Sequence, residues 1–445
     1  MNPAVPNPDQ PIESAQQPLP TIAPNASLRR GAIAVFLGNG VFNLCRIGVI
    51  VLLVKFAGEA VLGEFNHAVA LSAPIVIALA LELRSVYVAD ARDATPFAVY
   101  LALRTLGMCI AAGALLLWTL PYLFTGGNLA LWIVLAGGCI AKVLLHQADI
   151  YWGVYQKAER LDLLAWANAL RGLVMFATFA ICIVIARAAS TDATRDQSIA
   201  IAAAVATLIQ VAGWALITLL MERRFARRYV SSSPTWTWPQ LRTLALQAFP
   251  LALAVGVVSL ADNVPLLLIR AQEGGRDALA YYGALLYVPM AAQFIVIQFG
   301  NAATNRLAQT FQHDIRRFRK LAALLISGSV AVGAAAVLIV WMLGDPLLRV
   351  LYSPAYVPHY ASFLIIVLAQ AILLPGAILG FIVTQMRMFW AQVPLQLTVL
   401  LVTVAASLWL IPGDPIRGAA NALLIRAITQ TTLYAAAAIV ALRRA

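Results

Sequence analysis

Twelve runs of roughly 20 apolar residues punctuate this chain. They fall at about 32–54, 66–86, 99–120, 129–152, 163–186, 199–221, 244–269, 280–300, 321–343, 361–383, 392–411 and 417–442. A helix that crosses a bilayer needs ~20 predominantly apolar residues, and within hydrocarbon every backbone polar group must be satisfied internally. The pattern therefore predicts an all-α polytopic membrane protein of about twelve transmembrane helices. Composition agrees: 62% of the 445 residues are hydrophobic and 11% are charged, against about 45–50% and about 25% in soluble domains. The spans and their short connections consume most of the chain, which excludes a large soluble catalytic domain.

Residues 1–27 differ from the rest. Seven of the first 24 residues are proline, and such a segment is expected to be a disordered cytoplasmic tail. It has no basic region ahead of a short apolar stretch, so a cleavable signal is not expected, and the first helix would serve as an uncleaved one. Lys+Arg number 31 and Asp+Glu 19, a net charge of +12. Of the 31 cations, 19 fall in connections on the N-terminal side of the predicted membrane, seven on the opposite side and five within spans. Positive charge marks the cytoplasmic side, so both termini are expected in the cytoplasm. The most basic connection, 222–240, reads as an amphipathic linker on the anionic leaflet. It separates two six-helix lobes, 28–221 and 241–445. No basic stripe follows a soluble element, so nucleic acid is not an expected partner. Cys45, Cys109, Cys139 and Cys182 lie scattered in apolar runs, as do the four histidines, and neither metal nor cofactor is expected.

The lobes resemble each other. Leu28-Arg29 opens the first helix and Leu241-Arg242 the seventh; the runs end at Lys55 and Arg270. Leu62-Gly63-Glu64-Phe65 then matches Leu279-Ala280-Tyr281-Tyr282, and Pro74 matches Pro289, at offsets of 213 to 217. Both copies start on the same side, so the repeat is parallel. Internal repeats of this kind mark transporters, with substrate at the repeat interface.

The five embedded cations are Arg46, Arg104, Lys142, Arg171 and Arg426. Each costs roughly 2.5–3.5 kcal/mol at the bilayer centre. Arg104 lies near enough to a helix end to snorkel; Arg46, Lys142 and Arg426 do not. Polar neighbours recur at helical spacing: Asn39, Asn43 and Arg46; Lys142, His146 and Asp149; Asn168 and Arg171; Gln298, Asn301 and Asn305. Such stripes on several helices predict a shared wet cavity. Any one of them could instead be helix–helix glue, with Lys142–Asp149 and Arg46–Asp262 as buried ion pairs. The cations nonetheless outnumber the embedded acids Asp149 and Asp262, and a positive surplus suits an anionic substrate.

Leu62-Gly63-Glu64-Phe65, the helix with Pro74, and the segment from Glu82-Leu83-Arg84 to Asp90-Ala91-Arg92 resemble the polysaccharide flippases of the multidrug/oligosaccharidyl-lipid/polysaccharide exporter superfamily. The motif likeness covers about 60–105, and the architectural likeness covers 28–445. It implies an alternating-access flippase of the bacterial inner membrane for undecaprenyl-pyrophosphate-linked oligosaccharide in lipopolysaccharide or O-antigen synthesis. Such a protein would contact membrane lipids and other polysaccharide-assembly proteins. On that resemblance Arg46, Lys142 and Arg171, with Arg426 and Arg84 outside them, would hold the pyrophosphate. Asn39, Asn43, Gln298, Asn301 and Asn305 would bond the glycan. Asp149 with His146, or Asp262, would couple a proton or sodium ion.

A multidrug exporter of the same superfamily is the nearest rival; it needs embedded acids for cationic drugs, whereas helix 1 carries Arg46. A membrane-embedded polysaccharide polymerase or glycosyltransferase is the rival from enzymology. Its long catalytic external loop with basic residues has no counterpart here, because the longest, about 344–360, holds only Asp345, Arg349 and His359 as acidic or basic candidates. Asp90 and Asp93 read as solvated helix-end charges rather than as a nucleotide-sugar motif. A scaffold without transport leaves the embedded cations unexplained.

Overall fold

The computed structural model describes residues 28–444 apart from 91–94, 125–127, 232 and 387. The Pro-rich tail 1–27 lies outside the described residues, as do Arg92, Asp93 and the side chains of Asn301 and Asn305. Twelve helices are long and apolar enough to cross a membrane. We number them α1 (Leu28–Phe56), α2 (Gly58–Ala80), α3 (Phe97–Thr119), α4 (Leu129–Lys157), α5 (Leu161–Ala189) and α6 (Arg195–Leu216). The second lobe holds α7 (Trp238–Arg270), α8 (Gly275–His313), α9 (Ile315–Leu351), α10 (Tyr360–Gln385), α11 (Phe389–Leu410) and α12 (Pro415–Arg444). The protein is thus a multi-pass membrane protein. Odd-numbered helices begin at one end of the bundle, here the near end, and finish at the far end.

Local chemistry sets several boundaries. Asn128 caps α4 by accepting from the Ala130 amide at 2.8 Å, and Asp314 caps α9 by accepting from that of Arg317 at 3.0 Å, each satisfying a donor the first helical turn leaves orphaned. α4 stops at Glu159, which takes a left-handed φ of 54° while the Arg160 amide returns to the Tyr155 carbonyl at 2.8 Å, the Schellman closure. Two further departures from the sequence pattern matter for the site. The second span breaks at Leu81 and Glu82, with φ of 54° and 45°, before a short helix Leu83–Ala89 resumes. The sixth does not end at 221: α6 widens into a π-helical turn, Ile217–Glu222, and continues as helix to Ala226, so the linker begins later than its charge suggests.

Packing repeats between the halves. In the first, α1 packs on α5, α2 on α3 and α4, and α6 on α4 and α5; in the second, α7 packs on α11, α8 on α9 and α10, and α12 on α10 and α11. The lobes meet where α2 packs against α7 and α8, and α1 against α8. At the far end this seam shows an approximate two-fold relation at the offset of 217. Glu64 pairs with Arg276 at 3.1 Å, and the equivalent positions, Tyr281 and Glu59, are hydrogen-bonded at 3.0 Å. Asn66 donates to the Leu279 carbonyl and lies against Gly283, its own counterpart, where a Cβ would fall 2.2 Å from the Asn66 amide nitrogen. The parallel repeat read from the sequence is therefore present in the packing.

Candidate functional site

Three adjoining cavities lie between the near end and mid-depth of the bundle. The first, about 90 Å³, lies within the N-terminal lobe and is lined by Arg46 of α1, Lys142 of α4, and Thr207, Gln210 and Trp214 of α6. Arg46 reaches across the seam to α8: Nη2 sits 3.2 Å from the Met290 sulfur, and its guanidinium lies over the Tyr287 ring at 5.2 Å. Among the described residues, neither Arg46 nor Lys142 has a carboxylate partner within salt-bridge distance. Two basic side chains thus share one intramembrane cavity without a counter-charge, a costly arrangement that water or a bound anion would relieve.

The second, a crevice of about 580 Å³, opens nearer the near end and shares Leu145 with the first. Arg84, Arg104, His146 and Asp149 line it. Arg84 binds Asp149 at 2.8 Å and Arg104 binds the other carboxylate oxygen at 3.5 Å. The break at Leu81–Glu82 turns Arg84 toward α4; without it the helix would continue straight past. Arg104 does not snorkel: it is 1% exposed, with Nε and Nη1 unpartnered. The third cavity, about 340 Å³, lies between the lobes and shares Val69 with the first. Asp262 and Asn263 of α7, Tyr287 and Gln293 of α8, Gln370 of α10 and Arg426 of α12 contribute its polar wall. Arg426 is salt-bridged to Asp262.

The ion pairs differ from those the spacing suggested. Asp149 serves Arg84 and Arg104 rather than Lys142, and Asp262 serves Arg426 rather than Arg46. Each embedded acid that was a coupling candidate already holds an arginine. Arg171 is corrected most fully, because it lines none of the three cavities. Wholly buried, it grips Glu222 with both terminal nitrogens at 2.7 and 2.6 Å and donates to Thr218. Trp152 donates to the same carboxylate at 2.6 Å, and the Tyr155 hydroxyl donates to the Glu222 carbonyl at 2.7 Å. Asn39 is also taken up in packing: it accepts from Asn168 at 2.6 Å and its carbonyl accepts from Asn43. There α1 and α5 approach so closely that a Cβ on Gly38 would fall 2.4 Å from the Ala165 carbonyl oxygen. Gln298 lines none of the three cavities.

Sequence reasoning misses three groups. Arg104 reads there as a helix-end charge. Glu222 sits in an arginine run, yet it falls at helical spacing after Trp214 and Thr218, which is its only signal. Glu64 is fully buried and joins Arg270 and Arg276, both at 3.1 Å; nothing in the local pattern distinguishes it from a loop acid.

No family model matches the chain. It is 21% identical over 397 residues to the capsular polysaccharide biosynthesis protein CapF of Staphylococcus aureus, covering 87% of this chain and 93% of that protein. Among solved structures it resembles a point mutant of the Vibrio cholerae MATE transporter VcmN, with a TM-score of 0.62, 14% identity and coverage of 94% and 97% of the two chains. It also resembles a MOP superfamily transporter from Pyrococcus furiosus, described as having a binding pocket of reverse polarity, with a TM-score of 0.59, 14% identity and coverage of 94% and 95%.

Proposed function

We propose that this chain, which has the MATE transporter fold, flips undecaprenyl-pyrophosphate-linked oligosaccharide across the bacterial inner membrane, with its near end and both termini in the cytoplasm. One observation carries the reading: Arg46 and Lys142 share an intramembrane cavity that supplies no acid to balance them. A diphosphate provides the missing charge, and guanidinium and ammonium groups are its usual ligands. The likeness to a capsular polysaccharide biosynthesis protein points the same way. In this mechanism the pyrophosphate enters past Arg84 and Arg104, whose shared carboxylate, Asp149, leaves Arg104 with two unfilled donors. It then settles between Arg46 and Lys142 as the lobes rock about the α2–α8 seam, and the prenyl chain stays in lipid. Arg46 touches both lobes through Met290 and Tyr287, so charge bound there is felt by the interface that must move.

The same fold serves a multidrug resistance MATE family transporter, but an acid-free cationic cavity repels cationic drugs. In proteoliposomes carrying the lipid-linked oligosaccharide, Arg46→Ala and Lys142→Ala should each lower the flipping rate by at least about tenfold, since each removes a charge-assisted contact of roughly 1.5–3 kcal/mol. Neither should change efflux of a cationic dye, for which no activity is expected. Full flipping by both variants overturns the proposal, and dye efflux by the wild type overturns it in favour of an exporter.

A further inference from the structure

We infer that the cavity between the lobes is a carbohydrate subsite, built to hold the first sugar on the diphosphate, with Gln370, Asp262 and Arg426 as its specificity-determining residues. The inference rests on the flippase reading and deepens it. The two sites are chemically unlike. The N-terminal cavity carries uncompensated positive charge, whereas in the lobe interface Arg426 is balanced by Asp262. A charge-balanced wall is a poor phosphate site and a good polyol site, because ionised and amide groups give strong directional hydrogen bonds to neutral hydroxyls. The wall supplies both senses. Carboxylate and amide oxygens accept; guanidinium and amide nitrogens donate. Two of its groups are buried with valences unfilled: Gln370 is 8% exposed with Oε1 unpartnered, and Arg426 is 5% exposed with Nε unpartnered. Such groups are costly when left unpaired, and a ligand that meets them recovers the cost.

Position supports the assignment. Taking 1.5 Å per residue, Arg46, Asp262, Gln370 and Arg426 all lie about 12–17 Å from the far ends of their helices. They therefore share one depth. Tyr287 and Met290 line the sugar side and also contact Arg46, while Val69 lines both cavities. A diphosphate at Arg46 consequently presents its glycosyl substituent past Tyr287 and Met290 to the polar wall of the inter-lobe cavity.

Two probes separate the subsites in the full-length purified protein: undecaprenyl pyrophosphate, and the same lipid carrying one N-acetylglucosamine. Wild type should bind the glycosylated lipid more tightly. Gln370→Leu, and the charge-balanced double variant Asp262→Asn/Arg426→Gln, should each shrink that preference about tenfold while leaving the affinity for the bare lipid unchanged; Arg46→Ala should weaken both lipids equally. Gln430→Leu, at a less buried position on the same wall, gives the same reading if Gln370→Leu fails to fold. An unchanged preference, or equal weakening of both lipids by the wall variants, overturns the subsite while the flippase reading stands. If wild type binds neither lipid, the flippase reading falls and the subsite with it.

Discussion

The fate of each buried arginine is decided by whether a carboxylate from another helix meets it, and that is a tertiary fact. Arg171 and Lys142 look alike in the sequence, each deep in an apolar run with polar neighbours one helical turn away. Arg171 is closed by Glu222, 51 residues on; among the described residues Lys142 meets no carboxylate. Residue periodicity shows which side chains face inward but cannot show which pairs close. The Arg171–Glu222 pair gives a direct test. Removing one partner of a buried ion pair leaves an uncompensated charge and typically costs 3–5 kcal/mol, whereas replacing both with apolar groups is near neutral. Arg171→Met alone should therefore sharply lower the melting temperature of the solubilised protein. Arg171→Met/Glu222→Leu should recover most of the loss, and flipping by the double variant should be near normal. Equal melting of the single variant and the wild type would show that the pair is dispensable for stability.

At the scale of elements, most of the fold was legible because bilayer thickness imposes a length that apolar runs reveal directly. What escaped were features with no composition signal. α8 runs 39 residues, well past its apolar stretch, because a helix needs no hydrocarbon once clear of the membrane. The break at Leu81–Glu82 contains neither Gly nor Pro, and it is held by tertiary contacts that tie Arg84 to Asp149. Left-handed backbone costs a non-glycine residue roughly 1–2 kcal/mol, so where it serves no site it should be removable. Glu159 is such a place: it is exposed, at the C-terminus of α4, with φ of 54°. Glu159→Gly should raise stability by about 1 kcal/mol, seen as a higher melting temperature with unchanged flipping. Leu81→Gly should instead loosen the turn that aims Arg84. A lower melting temperature for Glu159→Gly would show that its side chain matters more than its backbone.

Over the whole molecule, the asymmetry that matters lies between the two ends of the lobe seam. Among the described residues, every salt bridge joining the lobes is at the far end, centred on Glu64 with Arg270 and Arg276. The pseudo-equivalent Glu59–Tyr281 contact lies beside it, and Lys55 adds a bond to the Val350 carbonyl at 2.6 Å. The repeat explains why one carboxylate suffices, since an approximate two-fold axis brings the starts of α2 and α8 together and a single acid there reaches both linking arginines. In the proposed mechanism this cluster acts as a latch that rocking would open. Arg270 and Arg276 are partly exposed, so the latch should be worth less than a fully buried pair; we take about 1–2 kcal/mol, or roughly tenfold in the open-to-closed ratio. In protein freed of its four native cysteines, Glu59→Cys and Tyr281→Cys joined by a short bifunctional thiol reagent should stop flipping. Glu64→Gln, which leaves two arginines facing each other without their acid, should cut that cross-linking several-fold by favouring the far-open state. Full transport by the cross-linked protein would place the moving seam elsewhere and leave Glu64 a purely structural anchor.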